Sequence, residues 1–587
     1  MLIRRALALS SLALATALAA DNIASSPLLT AHDAEDSAPS LSAKGQPQPM
    51  ADISMQAEIV TLHEAIAMAL KNNLDIQLQK TDISLQDEVT RAAWGDFDPM
   101  FEFSSTYTDS QTPQNPTIIS SADTAQQIFL EQQAISLIES NAAPTPVPLP
   151  STKATTPVPN PTPSDQPYIF QNRDFVNSAD VAAKLPTGTT LKLGVQAEYL
   201  NDIVLDLPGQ KFLPSNVFFA GLSLDQPLLQ GLGFDANLVA IRIGRRNREI
   251  NYDNWRQKVT DTVAQVMSTY FDMTYAQELM RVRQESTDAD RALAEANQRR
   301  VNVGLMTPID VSQANVDVSA DQYDYLTAQD LLTSRVSDLK KLIYRGAEDD
   351  NGRTYLSAGP IDMPVPTLDR EQLLAEAFEN RIDYATAIQQ ADIEDIKVKY
   401  YRNQLLPHID LVATLGLNGL STSSAGSSVD QAFNRQGPEW MIGIQGSIPF
   451  GNVAGRANLA AAHKQREETI WKLKQVELAI HTDVDTAISA IQSNQQRVAS
   501  ARATAKFAQQ VVEMENRRLE AGQASTIDIL DNRRRLYDAQ SAELEANDDL
   551  NKSIVQLYLA TGTLLHEESI QLVDDDPQAP KQPHAAH

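Results

Sequence analysis

The chain contains no cysteine. Disulfides, thiolate nucleophiles and Cys-based zinc sites are therefore excluded, as are lipid anchors that require a cysteine. Histidine is scarce, with eight residues, two of them in the last four. No His pair stands at ligand spacing beside a carboxylate, so no metal site is predicted. Positive charge is in deficit: 48 Lys and Arg oppose 76 Asp and Glu, for a net charge of −28. Nucleic acid is thereby excluded as a partner, because phosphate binding needs clustered cations. Long apolar runs are missing except at the start, "MLIRRALALSSLALATALAA". Arg4 and Arg5 form its basic lead, and Ala17-Leu18-Ala19 is a small-residue cleavage signal. Residues 1–20 read as a secretory signal peptide. Beyond it no stretch of about eighteen apolar residues remains, so no transmembrane helix is predicted. The exported chain is either soluble or a membrane β-barrel.

Hydrophobic residues make up 42% of the chain, which suffices for a packed core. Residues 21–57, rich in Ser, Ala, Pro and Asp, read as a disordered lead, and residues 567–587 as a flexible acidic tail. The stretch "APTPVPLPSTKATTPVPNPTPSDQP" can form neither a helix nor a central strand. It lies in an insert expected over residues 111–174. Residues 347–365 read as a linker between two similar halves, 58–346 and 366–566.

The halves open on "VTLHEAIAMALKNNLDIQLQ" and "PTLDREQLLAEAFENRIDYATA", each an amphipathic helix, Asn, then Asp and more helix. Pro99 and Pro407 stop these helices, and alternating strand patterns follow. Phe101, Phe103 and Tyr107 share one face of such a pattern, opposite Glu102, Ser104 and Thr106. Similar runs begin near Leu191, Phe218, Ile409 and Trp440, with a hairpin turn at Pro186-Thr187-Gly188. Each run is long enough to cross a bilayer as a tilted strand, yet alternation alone favours a half-wet soluble sheet. From "QPLLQGLGFDANLVA" and "SIPFGNVAGRANLAA", Pro-poor helical patterns run about 73 residues to Gly304 and about 71 to Gly522. At 1.5 Å per residue each helix is on the order of 100 Å long and needs a continuous coiled-coil partner. Gly231-Leu232-Gly233 lacks the spacing and Lys of a phosphate loop and reads as a strand-to-helix bend.

The turn after each long helix is written twice, as "VGLMTPIDVSQANV" and "AGQASTIDILDNRRRL". Gly304 and Gly522 suit helix C-caps, where positive φ carries no steric cost. Thr307 and Ser525 suit N-caps, Pro308 the first helical position, and Asp310 and Asp528 the third, completing capping boxes. The tips thus fall near 304–310 and 522–528.

These motifs, with "SLDQPLLQGLG", "RRVNVGLMTPIDVSQA" and "RRLEAGQASTIDILDNR", in this order and duplication, resemble the TolC-like outer-membrane efflux proteins from about Val60 to Leu565. The resemblance implies an α+β membrane protein with an internal duplication. A trimeric transmembrane β-barrel, twelve-stranded with about four strands per protomer, would continue into a long periplasmic α-helical coiled-coil barrel. It implies a homotrimer in the outer membrane of a Gram-negative bacterium, in contact with outer-membrane lipid. It further implies a periplasmic adaptor and an inner-membrane RND or ABC pump as partners. The chain would be a passive exit duct for efflux or type I secretion, neither an enzyme nor a cofactor binder. By the same resemblance Asp528 and Asp531 form the pore constriction, while Gly304, Thr307, Asp310, Gly522 and Ser525 build the hairpin tips where the adaptor docks. Best-known members carry a Tyr and an Arg that latch the second tip, where this chain has Leu519 and Ala524. The reading from another class is a non-conducting periplasmic scaffold or adhesin stalk.

Overall fold

The computed structural model describes residues 57–114, 168–204, 214–304, 306–350, 352–520, 523 and 525–572. The expected signal peptide, most of the lead, the Pro/Thr-rich stretch, Gly522, Ala524 and most of the tail lie outside the described residues.

Two similar passes build the fold. The first runs β1 (Ala57–Val60), α1 (Leu62–Asn72), α2 (Leu74–Trp94), β2 (Met100–Gln114), β3 (Tyr168–Lys184), β4 (Thr190–Val204) and β5 (Ser215–Pro227). Then come α3 (Val239–Asn302) and α4 (Pro308–Ile343). The second runs β6 (Thr354–Ser357), α5 (Arg370–Asn380), α6 (Ile382–Gln404), β7 (His408–Ser421), α7 (Ala425–Phe433), β8 (Gly437–Ser447), α8 (Val453–Glu520) and α9 (Thr526–Thr561).

Local chemistry fixes the starts and stops. Thr61 and Glu64 close a capping box on α1, and the Asn73 side-chain Oδ1 accepts from the N–H groups of Asp75 and Ile76 to open α2. α2 and α6 end a few residues before Pro99 and Pro407, which disfavour helix in the residue before them. Gly231 and Gly233, at φ 84° and 88°, make the bend from β5 into the helices, as the sequence predicts.

The helices α3 and α8 have 64 and 68 residues, so each spans about 100 Å. Each is covered in two parts. The returning helix α4 packs along α3, and α2 packs along it as well. Asn72, which ends α1, and Asn73, which caps α2, donate to the last carbonyls of α4, Ile343 at 3.0 Å and Leu342 at 3.2 Å. In the second half α9 and α6 cover α8, and Arg381 reaches the Ala560 carbonyl at the junction. Gly562, at φ 71°, lies so close to the Asn380 backbone that a Cβ there would meet it at 2.9 Å.

The main core gathers where α1, α3 and α4 meet the short parallel pair β1–β6. Tyr270, Met267, Met273, Leu339 and Ile343 are fully buried there, and the Tyr270 hydroxyl donates to the Val60 carbonyl at 2.9 Å. The expected lead and linker boundaries are corrected here. Ala57 is the first residue of β1, and β6 crosses the linker, because the two strands pair from Ala57–Thr354 to Val60–Ser357.

The larger sheet is antiparallel throughout, in the order β2-β3-β4-β5-β7-β8. One protomer thus carries six strands in a single sheet, where the resemblance implied about four and the sequence itself showed five alternating runs, with a sixth suggested by the hairpin turn after Val181. The strand without a run of its own was β3. The insert boundaries are corrected with it, since residues 111–114 and 168–174 belong to β2 and β3, paired through Gln111–Gln171 and Thr112–Phe170. Composition suggested loop there, but the ladder zips onward and Asp109 accepts from Gln171 at 2.8 Å. The turn at Pro186-Thr187-Gly188 is present as expected, with Gly188 at φ 93°.

Candidate functional site: the paired hairpin tips

The α3–α4 turn closes through Gly304 at φ 79°, whose N–H reaches the Val301 carbonyl at 2.9 Å. The Thr307 N–H and hydroxyl donate to the Asp310 carboxylate at 3.0 and 2.6 Å, with Pro308 at the first helical position. The α8–α9 turn repeats this. The Ser525 N–H and hydroxyl donate to Asp528 at 3.1 and 2.8 Å, and the Asp528 N–H returns to the Ser525 hydroxyl at 3.2 Å. These bonds hold both carboxylates below the usual Asp range, first through the Thr307 and Ser525 hydroxyls and then through their backbone N–H groups. Each tip also presents an exposed isoleucine just inside the cap, Ile309 and Ile527.

Asp528 is therefore engaged in its own cap. Asp531, one turn on, is exposed and ion-paired to Arg535 of the same helix at 2.8 Å. The structure places both acids on the surface of the protomer.

Sequence reasoning missed the contacts that join the hairpins. Arg533 leaves α9 and donates to the Ala289 carbonyl at 3.0 Å and to Asp290 at 3.2 Å, both on α3. The two side chains are nearly buried, at 17% and 6% exposure. Burial pushes Asp290 up to about 6, with the neighbouring Asp321 carboxylate acting in the same direction and Arg533 against it. Arg534 pairs with Asp317 of α4 at 2.7 Å, and Arg283 of α3 reaches Asp538 of α9 at 3.2 Å. Farther from the tips Lys552 bridges Asp272 and Asp548 at 2.7 and 2.6 Å. A signal for this seam was present in "DNRRRL". Three successive arginines on a helix point about 100° apart, so at least one must face the neighbouring hairpin. Leu519 packs against Leu293, Ile529 and Leu530, so an apolar cluster occupies the place of the family's polar latch residue.

Among the described residues no cluster of three or more acids or histidines is placed to hold a metal ion, and no helix is long and apolar enough to cross a membrane.

A sheet with one exposed apolar face thus runs directly into hairpins about 100 Å long. The chain belongs to the outer membrane efflux protein family, whose sequence profile matches residues 195–343 and 373–563, more than half of the chain. It is 23% identical to the outer membrane protein TolC of Vibrio cholerae over 368 residues, 60% of this chain and 78% of that one. It is 22% identical to the probable efflux pump outer membrane protein TtgC of Pseudomonas putida, over 53% of this chain and 62% of that one. Its fold is similar to the Campylobacter jejuni CmeC outer membrane channel, with a TM-score of 0.57 over 85% of each chain at 15% identity. The family places the protein in the outer membrane.

Proposed function

We infer that three copies form a passive exit duct across the outer membrane and periplasm. A periplasmic adaptor docks on the hairpin tips, and an inner-membrane RND or ABC pump supplies the energy. The cargo is a substrate of efflux or of type I secretion, and the duct itself performs no chemistry.

The observation that carries this reading is the pair of unfinished edges. α4 exposes Ile309, Val316 and Tyr323 at successive heptad positions. α8 exposes Trp471 and Leu478, then Phe507 and Met514, each pair again seven apart. Heptad stripes of this kind are coiled-coil seams that lack their partner helix. β2 and β8 likewise end the sheet with no partner strand among the described residues. A closed ring of copies covers all four edges at once. A soluble stalk offers no reason for the exposed apolar sheet face.

At the tips, Ile309 and Ile527 offer an apolar surface to the adaptor. Asp528 and Asp531 of three copies, six carboxylates around one axis, form the constriction and favour cations. Mass measurement in detergent is expected to give a trimer, and planar bilayers a cation-preferring conductance. A stable folded monomer, or a trimer that does not conduct, overturns the reading and leaves a scaffold.

A further inference from the structure

The registers of the large sheet thread one row of side chains through every strand: Phe101, Val181, Leu193, Leu222, Leu415 and Trp440. All six are exposed. The next row crosses the opposite face as Glu102, Asp180, Gly194, Gly221, Gly416 and Glu439. The alternation of apolar-out and polar-in is that of a membrane barrel wall. It passes through β2 and β3 without a change of phase. These two strands carry the same lipid-facing row as the other four, so they are part of the wall.

The number of strands is even and all neighbours are antiparallel. β8 of one copy therefore lies antiparallel to β2 of the next, and the pattern continues across the seam. The partner that fits the two edges is a second copy of this chain. Polarity matches, because each edge strand presents apolar residues on one face and polar residues on the other. Six strands are too few to close alone, since the smallest membrane barrels have about eight.

We propose that the membrane section of the assembly is an eighteen-stranded barrel, joined β8 to β2, with a bore for cargo too bulky for a twelve-stranded one. The proposal rests on the three-copy duct above. With strands about 4.8 Å apart and tilted about 40°, eighteen give a backbone diameter of roughly 36 Å and twelve roughly 24 Å. Inward side chains occupy about 5 Å of each wall, half the spacing of packed sheets, which leaves roughly 26 Å against roughly 14 Å. The inner row makes room for its neighbours' side chains. Gly194, Gly221 and Gly416 stand on three successive strands, and the Phe219 ring lies across the last two, where any Cβ would collide with it. A bore of this width passes bulkier hydrated solutes than the narrower tube does.

Because the native chain has no cysteine, introduced pairs report only the intended contact. Ile442→Cys on β8 is combined in turn with Phe101→Cys, Phe103→Cys, Ser105→Cys or Tyr107→Cys on β2. The expected result is a covalently linked trimer from at least one combination after oxidation, and none when Ile442→Cys is combined with Leu193→Cys or Val195→Cys on β4. Electron microscopy of the trimer in detergent is expected to show eighteen strands. Cross-links from β8 to β4, or a trimer section of twelve strands about 24 Å across, overturn this proposal and leave the duct standing. A folded monomer overturns both. A third measurement reads the bore itself. Neutral polymers of about 20 Å added on the extracellular side are expected to enter and lower the conductance, and their complete exclusion counts against the width.

Discussion

The first hairpin tip and the second use the same chemistry at matching positions, yet the residues just beyond them differ in kind. Thr307, Ile309 and Asp310 correspond to Ser525, Ile527 and Asp528, and both turns close the same box. One turn later α4 carries Gln313, Asn315, Val316 and Asp317 where α9 carries Asp531, Arg533, Arg534 and Arg535. α9 lies between α8 and α3, and its arginines reach into the first hairpin. α4 packs along α3 on one side and leaves Val316 and Tyr323 exposed on another. The turn is thus a local device, satisfied wherever a chain must reverse between helices. The side chains after it are set by what each helix meets, a sister hairpin for α9 and an open edge for α4.

The sharpest way to break this comparison is Arg533→Met. It leaves Asp290 buried without its cation, and breaking such a pair costs about 3 kcal/mol. The matching Asn315→Met on exposed α4 is expected to stay within about 0.5 kcal/mol. Denaturant unfolding of the two variants checks the difference, and equal losses show that the seam is not special to α9.

A second test uses pH. Asp290 is pushed up to about 6, so its folded state holds the proton more tightly than the unfolded chain does. The group then costs nothing below about pH 4, and stability falls as pH rises through about 6. The protection of α3 against hydrogen exchange near Asp290 is expected to weaken from pH 5 to pH 7.5. Asp290→Asn is expected to flatten that dependence. Asp548 is also pushed up to about 6, by burial, so the comparison of variant with parent isolates the share of Asp290.

Smaller effects sharpen the equivalence of the turns themselves. Thr307→Ala and Ser525→Ala are each expected to cost about 1 kcal/mol by loss of an N-cap. A large disparity between them in thermal unfolding argues that one tip is held by something besides its box.

The smallest effect on folding, and the most informative for function, is that of Asp531→Asn. It breaks an exposed pair with Arg535 on the same helix and is expected to leave the melting temperature unchanged. Cation preference in planar bilayers is expected to fall if Asp531 faces the pore. An unchanged preference removes it from the constriction.

Much was legible along the chain because its causes are local. Thr307 with Asp310, Ser525 with Asp528, and the prolines after α2 and α6 act within a few residues, so their consequences could be read directly. The duplication was legible for the same reason, each half repeating its own signals. β3 was legible only at its end, through the hairpin turn after it, since "YIFQNRDFVNSADVAAK" mixes Asp, Asn and Arg into its alternation and becomes a strand through β2 and β4 on either side. The insert boundary failed likewise, at residues that only a neighbouring strand makes extended.

The sequence by itself determined the capped turns, the long helices, the alternation of the strands and the absence of thiol chemistry, because short-range sterics, hydrogen bonding and composition decide these. Only the tertiary structure decided that six strands share one sheet and that Arg533 buries itself against Asp290. It also decided that Leu519 fills an apolar cluster and that the stripes on α4 and α8 are left open. These depend on which elements become neighbours across hundreds of residues, and the pairing energy that selects them is absent from any single stretch of chain.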